Sequence, residues 1–329
     1  MKKSLLVLAV LSAFAGVASA QSAVTIYGTF DGGVRNLTNT NAAGQSKFTM
    51  GSSGTYNSNR LGFKGVEDLG NGMNAHFTLE NGYNSGTGAL SGDLFGRSAF
   101  VGLGNSTGSI DFGRQYTVAF KTIAAYDPFA YKYTGIAYAI PATAGVRYSN
   151  DIQATGNFGA ITARAEYALG EVAGSTSTGS AKSVGASYAN GPVALGAAYT
   201  NRDVAGQDNK HYTFGGAFQA MPTLKVSAGY ADEQQATTGV TLETKYSWVG
   251  ASYAFTPALT ATYAYYQIKV DGTAAQNAKK DLNLIGATYF LSKRTNFYAA
   301  LDVTKLDGAA RIGTQTDQTG FSVGINHAF

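Results

Sequence analysis

Hydrophobic and polar residues alternate with a period of two along most of this chain. Val24, Ile26, Phe30 and Val34 alternate with Thr25, Tyr27, Thr29, Asp31 and Arg35. Met73, Ala75, Phe77 and Leu79 alternate with Asn74, His76, Thr78 and Glu80. Ile161, Ala163, Ala165 and Tyr167 face away from Thr162, Arg164 and Glu166, and Phe297, Ala299, Leu301 and Val303 face away from Tyr298, Ala300 and Asp302. Successive side chains of a strand point to opposite faces, so each segment predicts a strand with one greasy and one polar face. From Tyr246 to Phe255 and from Leu259 to Val270 both faces carry apolar residues, and the pattern leaves the facing open.

The breaks between strands alternate in length. Short turns fall at Leu69-Gly70-Asn71-Gly72, Gly104-Asn105-Ser106, Asn190-Gly191-Pro192, Ala220-Met221-Pro222, Thr256-Pro257 and Ser292-Lys293. Longer polar stretches lie at 37–57, 85–92, 115–144, 170–181, 203–209, 271–280 and 307–317. Short connections on one side and long ones on the other are the layout of an outer-membrane barrel, and about sixteen strands fit between the breaks. An amphipathic sheet can also bury its greasy face in a soluble sandwich. Three features favour lipid: an export signal at the amino terminus, the aromatic enrichment, and a last strand (Phe321, Val323, Ile325, His327, Phe329) that keeps its pattern to the carboxyl end. Pairing that strand with the first would leave no edge unsatisfied in lipid.

Composition sharpens this picture. The 329 residues include 42 Gly, 21 Tyr and 18 Phe, while charged residues are only 13%, about half the usual share for a soluble protein. Lys2 and Lys3, the apolar run from Leu5 through Phe14, and Ala18-Ser19-Ala20 form the three-part pattern of a cleaved secretory signal. The expected division is therefore a signal peptide at 1–20 and one barrel domain at 21–329. Beyond the signal, no apolar run reaches the ~20 residues of a spanning helix. Removing Lys2 and Lys3 from 24 basic residues leaves 22 against 20 acidic, a net charge of +2, which argues against a nucleic-acid partner. Cysteine is absent, so thiol chemistry is excluded.

Several segments resemble the general porins of Gram-negative outer membranes, closest to the beta-proteobacterial type. They are Val24-Thr25-Ile26-Tyr27-Gly28 with Asp31, the block from Asn59 to Gly72, Arg97 to Leu103 leading to Asp111-Phe112-Gly113-Arg114-Gln115, Ser292-Lys293-Arg294-Thr295, and the terminal Asn326-His327-Ala328-Phe329. The resemblance implies an all-β, 16-stranded antiparallel transmembrane barrel in the outer membrane, a homotrimer whose third long loop folds inward. It implies passive diffusion of ions and small hydrophilic solutes, with contacts to outer-membrane lipid and lipopolysaccharide. It also makes Phe329 the signal read by the barrel assembly machinery. An adhesive or structural surface barrel is the alternative.

The same resemblance places Arg60, Arg97 and Arg147 on the basic wall of the pore constriction. Parity supports two of them: Leu61 and Phe63 face out, so Arg60 and Lys64 face in, and Val146, Tyr148 and Ile152 face out, so Arg147 faces in. Around Arg97, Ala99, Val101 and Leu103 compete with Phe100 for the outer face. Asp127 is the expected facing acid on the third loop. Here the sequence departs from the family, which commonly has a Pro-acid-Phe-Gly order with two acids, whereas this chain reads Asp127-Pro128-Phe129-Ala130 followed by Lys132. Fewer acids and an added lysine predict a positive constriction with moderate anion preference. Asp31 and Arg35 also point inward by alternation, and Arg114 ends the strand entering the loop. These are secondary lumen candidates, or rim positions in the case of the arginines. His76, His211 and His327 stand apart, with no spacing for a metal or a nucleophile and base. His76 with Glu80 reads as a polar lumen pair, and no cofactor is expected.

Overall fold

The computed structural model describes residues 23–51, 56–133, 138–237 and 239–329. The signal segment lies outside the described residues. The strands are β1 (Ala23–Leu37), β2 (Lys47–Met50), β3 (Arg60–Gly70), β4 (Met73–Gly82), β5 (Ser98–Asn105) and β6 (Gly108–Tyr116). A short helix α1 (Val118–Ile123) follows, then β7 (Arg147–Phe158), β8 (Ile161–Ala168), β9 (Ala181–Asn190), β10 (Val193–Val204) and β11 (Gln207–Met221). The chain ends with β12 (Leu224–Thr237), β13 (Val240–Ala254), β14 (Leu259–Asp271), β15 (Ala278–Phe290), β16 (Thr295–Gly308) and β17 (Asp317–Ala328).

Each strand pairs antiparallel with its neighbour, and β17 returns to β1 with Thr29 opposite Ala328 and Leu37 opposite Gly320. The opposite edge of β1 meets β3 over Ala23–Thr29 and β2 over Val34–Leu37, so β2 and β3 share one position. The result is a closed barrel of sixteen staves. Closure supplies each strand with partners on both sides, which lipid demands because it offers no hydrogen bonds.

The four alternations read from the sequence hold. Val24, Ile26, Phe30, Ile161, Phe297 and Leu301 are exposed on the outer face, while Thr29, Asp31, Arg35, Glu80, Glu166 and Asp302 are buried on the inner one. The last residue completes the seam. Phe329 exchanges two backbone hydrogen bonds of 3.1 Å with Gly28, and its ring covers the position a Gly28 side chain would fill.

The expected long connection at 203–209 is instead a tight hairpin. Ala205 and Gly206 both have positive φ, 54° and 80°, the twist that a two-residue hairpin turn requires. The expected loop at 37–57 likewise contains β2, and the chain at 56–59, where it leads into β3, turns into the barrel. There Asp31 accepts hydrogen bonds from the backbone N–H of Tyr56 (3.2 Å) and Asn57 (2.5 Å).

A methyl group at residue 28 would meet both the Phe329 ring and the Arg60 carbonyl. Gly28→Ala is expected to cost about 1–3 kcal/mol, the usual range for overpacking. The check is the temperature at which the folded band converts to the unfolded one in SDS gels, which should drop for the variant.

Candidate functional site

The described parts of the connection between β6 and β7, residues 117–133 and 138–146, run along the inside of the barrel. Thr117 caps α1, accepting from the Phe120 N–H, and the helix buries Val118, Ala119, Thr122 and Ile123 against the wall. Inward glycines make room for it: Gly185 lies under Val118, Gly196 under Thr122, Gly215 under Tyr126, Gly250 under Pro128 and Gly286 under Phe129 and Tyr133. A side chain at any of these positions would lift the loop off the wall. Tyr126 stacks on Trp248 at 5.8 Å, and the Trp248 indole donates to the Tyr126 carbonyl at 3.2 Å. The return limb is held by Glu233, which accepts from the N–H groups of Ala142 (3.2 Å) and Thr143. At the tip, the Tyr133 N–H donates to the Tyr56 carbonyl at 2.8 Å and the Lys132 ammonium to the Tyr56 hydroxyl at 2.7 Å. The loop thus covers the inner wall from β9 to β16, is tied to β8 and β7 where the Val118 N–H donates to Glu166 at 3.0 Å and the Lys121 ammonium to Gln153, and leaves β3–β6 open.

Asp127 does not face the arginines. It is 1% exposed and turned into the covered wall. One carboxylate oxygen accepts from the Tyr266 hydroxyl at 2.7 Å and the other from the Tyr131 N–H at 2.7 Å. Burial raises its proton affinity, only partly offset by these two hydrogen bonds. The acid is an anchor for the loop, because the Asp127-Pro128-Phe129 turn packs flat on Gly250 and Gly286 and points its carboxylate at β14.

The three arginines converge on the open wall. Arg97 donates through Nε to Glu80 at 2.7 Å and through Nη2 to the Tyr116 hydroxyl at 2.8 Å. Arg147 donates to the same hydroxyl at 2.8 Å, and its guanidinium lies 4.3 Å from the Tyr116 ring centroid. Arg60, on β3, donates to Asn57 Oδ1 at 3.1 Å and interacts electrostatically with Tyr27, whose hydroxyl donates to Glu80 at 3.0 Å. Tyr116 continues the column onto the loop, stacking on Phe120 at 4.6 Å, which stacks on Tyr131 at 4.2 Å. Sequence reading did not single out Tyr116, Glu80's ion pair or Phe120, since each takes its role from neighbours distant in sequence.

Strand parity does not set Arg97 or Arg147. Val101 and Leu103 are exposed outside, and Ser98 is buried inside, so Arg97 stands just before the strand and turns inward there. In β7, Tyr148 faces in, with its hydroxyl donating to the Thr143 carbonyl at 2.7 Å, contrary to the expected outward facing. Asn150, at φ 56°, forms a bulge opposite the register shift at Gly113/Gln115, and this reverses the alternation so that Ile152 faces out. The same bulge moves Arg114 out of the lumen. It pairs with Ala99 on the outer face and donates to Ser149 at 2.8 Å and the Gly96 carbonyl at 2.6 Å.

Of the other secondary candidates, Arg35 makes a two-pronged ion pair with Asp302 at 2.6 and 2.9 Å. Asp31 is fully buried and accepts from the Tyr298 hydroxyl at 2.6 Å. Lys64 remains exposed, 5.5 Å from the Tyr27 ring. His76 pairs with Asp111 at 2.7 Å rather than with Glu80. Among the described residues no three His, Asp or Glu side chains are placed to hold a metal.

A closed sixteen-stave barrel with a polar interior and an internal loop is the architecture of a diffusion pore. The Gram-negative porin family model matches residues 7–309. The chain belongs to the Gram-negative porins. It is 34% identical to outer membrane porin protein 32 of Delftia acidovorans and 30% identical to an outer membrane porin of Bordetella pertussis, with both chains fully covered in each comparison. Among solved structures, an anion-selective porin from Comamonas acidovorans superposes with a TM-score of 0.82 at 28% identity, covering 94% of this chain and 100% of the other. OmpT of Vibrio cholerae shares the fold at a TM-score of 0.71 and 13% identity. This porin is an outer-membrane channel for passive diffusion.

Two outcomes separate anchoring from pore charge. Asp127→Asn is expected to leave ion selectivity unchanged, since the carboxylate does not meet the lumen. Asp127→Ala is expected to cost about 2–3 kcal/mol by leaving two buried donors unpaired and to make single-channel current noisier. Planar-bilayer recordings of both variants read the difference. Tyr116→Phe should keep the folded band in SDS gels but lower the chloride-over-potassium permeability ratio, because two guanidiniums lose their common acceptor.

Proposed function

We propose that this porin prefers anions, with Arg60, Arg97 and Arg147 forming the basic side of its constriction. One observation carries the reading: the acids inside the barrel are buried while the bases, apart from Arg35 in its pair with Asp302, stay in contact with water. Asp31, Glu80, Asp111, Asp127, Asp151, Glu166, Glu233 and Asp302 are each at most 6% exposed. Arg60, Arg97, Arg147, Arg164 and Lys225 remain partly exposed, and Lys64 is exposed. A nearly neutral chain thereby presents a positive bore, since a passing ion responds to accessible charge at short range. The anion-selective relative of similar fold supports the same reading.

The sign and size follow from Coulomb's law. A unit charge about 5 Å from the ion path in water-like surroundings is worth ~0.8 kcal/mol, roughly fourfold in local anion concentration. Glu80 compensates part of Arg97, so Arg60 and Arg147 carry the larger share. Multivalent and organic anions of small size would pass by the same field, without energy coupling and without any chemical step.

The protein is proposed to assemble as a homotrimer, to be exported with loss of residues 1–20, and to present Phe329 to the barrel assembly machinery. The Phe329 backbone pairing with Gly28 supports its role at the closing seam.

Replacing Arg60 or Arg147 by Gln is expected to lower chloride-over-potassium permeability by about 2–4-fold near 0.1 M salt, with a smaller effect at 1 M where screening shortens the field. Reversal potentials in a KCl gradient measure it. A cation-selective wild-type pore would overturn the proposal.

A further inference from the structure

Three aromatic rings stand in a column beside the basic wall, and anion attraction alone needs none of them beyond Tyr116. Tyr116 ends β6, where its hydroxyl links Arg97 and Arg147. Phe120 stacks on it with ring centroids 4.6 Å apart and planes 17° from parallel, and Tyr131 stacks on Phe120 at 4.2 Å and 29°. Helix α1 directs Val118, Ala119, Thr122 and Ile123 into the wall, so Phe120 lies on the face of the helix turned toward the bore. All three rings stay partly exposed, whereas the wall-side aromatics of the loop, Tyr126, Phe129 and Tyr133, are buried.

Stacked this way, the rings engage their faces with one another and with the Arg147 guanidinium, which lies 4.3 Å from the Tyr116 centroid. What projects past the column is ring edge. The edge of an aromatic ring carries the positive end of its quadrupole, and it attracts the negative π face of another ring in the edge-to-face arrangement. A saturated ring has no such face. Next to this strip, Arg97 engages Nε with Glu80 and Nη2 with Tyr116, and Arg147 engages Nη2 with Tyr116. Among the described residues nothing accepts from Nη1 of either arginine, and neither of those two atoms is buried. Two guanidiniums fastened to one phenol oxygen thus keep solvent-facing donors beside the column.

We infer that the ring column and the two guanidiniums form a subsite in the pore for small planar aromatic carboxylates, molecules of benzoate size. This deepens the anion preference proposed above and rests on it. The carboxylate accepts from the free Nη1 donors, and the face of its ring lies on the edges of Phe120 and Tyr131. Charge draws in any anion, and the column retains those with a π face. Glu80 does not oppose the ligand, because its carboxylate is buried between Arg97 and the Tyr27 hydroxyl. Held weakly at the side of the passage, an aromatic anion enters in preference to an aliphatic one and still leaves. At high concentration it obstructs chloride.

Planar-bilayer recordings of the folded full-length porin test this with benzoate and cyclohexanecarboxylate, which are both singly ionised near neutral pH and differ in ring chemistry. The readout is the concentration of each that halves the chloride current. Wild type is expected to respond to benzoate at about 3–10-fold lower concentration, the gain typical of an aromatic pair. Cyclohexanecarboxylate is thicker and more apolar, so size and apolar burial alone would reverse that order. Phe120→Leu, which keeps an apolar side chain on the bore face of α1, should bring the two concentrations to within about twofold of each other. Equal block by the two anions in an anion-selective wild type would overturn the inference and leave the anion preference standing. A benzoate advantage undiminished in Phe120→Leu would do the same. A cation-selective wild type would overturn both. The two-anion comparison on wild type decides the matter even where the variant does not fold.

Discussion

Docking of the 117–146 loop on one half of the inner wall organises everything else in the lumen. The loop removes the β9–β16 surface from the ion path and leaves the arginine-bearing wall bare. That docking rests on close approach, with aromatic rings seated where inward strands have glycine, reinforced by Asp127 on one limb and Glu233 on the other. Both acids are consumed by the packing. The asymmetry of the pore is therefore a by-product of how the loop is held as much as of where the arginines stand.

Within the open wall, geometry comes from neutral groups. The Tyr116 hydroxyl accepts from two guanidiniums, its ring supports one of them, and its other contact is to the loop through Phe120. Two like charges would otherwise move apart. A phenol holds them together without cancelling either, whereas a carboxylate in that position would have erased the field.

Much of the barrel was legible because a period of two has one physical meaning once one face must meet lipid. The segments that resisted, β13 and β14, did so for a specific reason. Their inward residues Tyr246, Trp248 and Tyr266 are covered by the loop, so both faces look apolar. The lesson at β7 is different: a single left-handed residue, Asn150, reverses the facing of the residues after it, and no alternation count sees a bulge. Asp127 was found at the right loop but given the wrong partner, because charge type says nothing about which way a turn points. Its direction was encoded in the inward glycines of β13 and β15. Their meaning appears only when register places them under the loop.

The internal loop also has a mechanical consequence. It bonds crosswise to strands from β9 to β16 and, through Tyr56, reaches the stave beside β1. An arc of chain fastened across many staves acts as an inner hoop, and sliding any one stave along its neighbour would strain several of its fastenings at once. The part that narrows the passage thus also stiffens the cylinder against lateral squeezing by the surrounding leaflet, so widening the bore by loosening the loop would soften the wall.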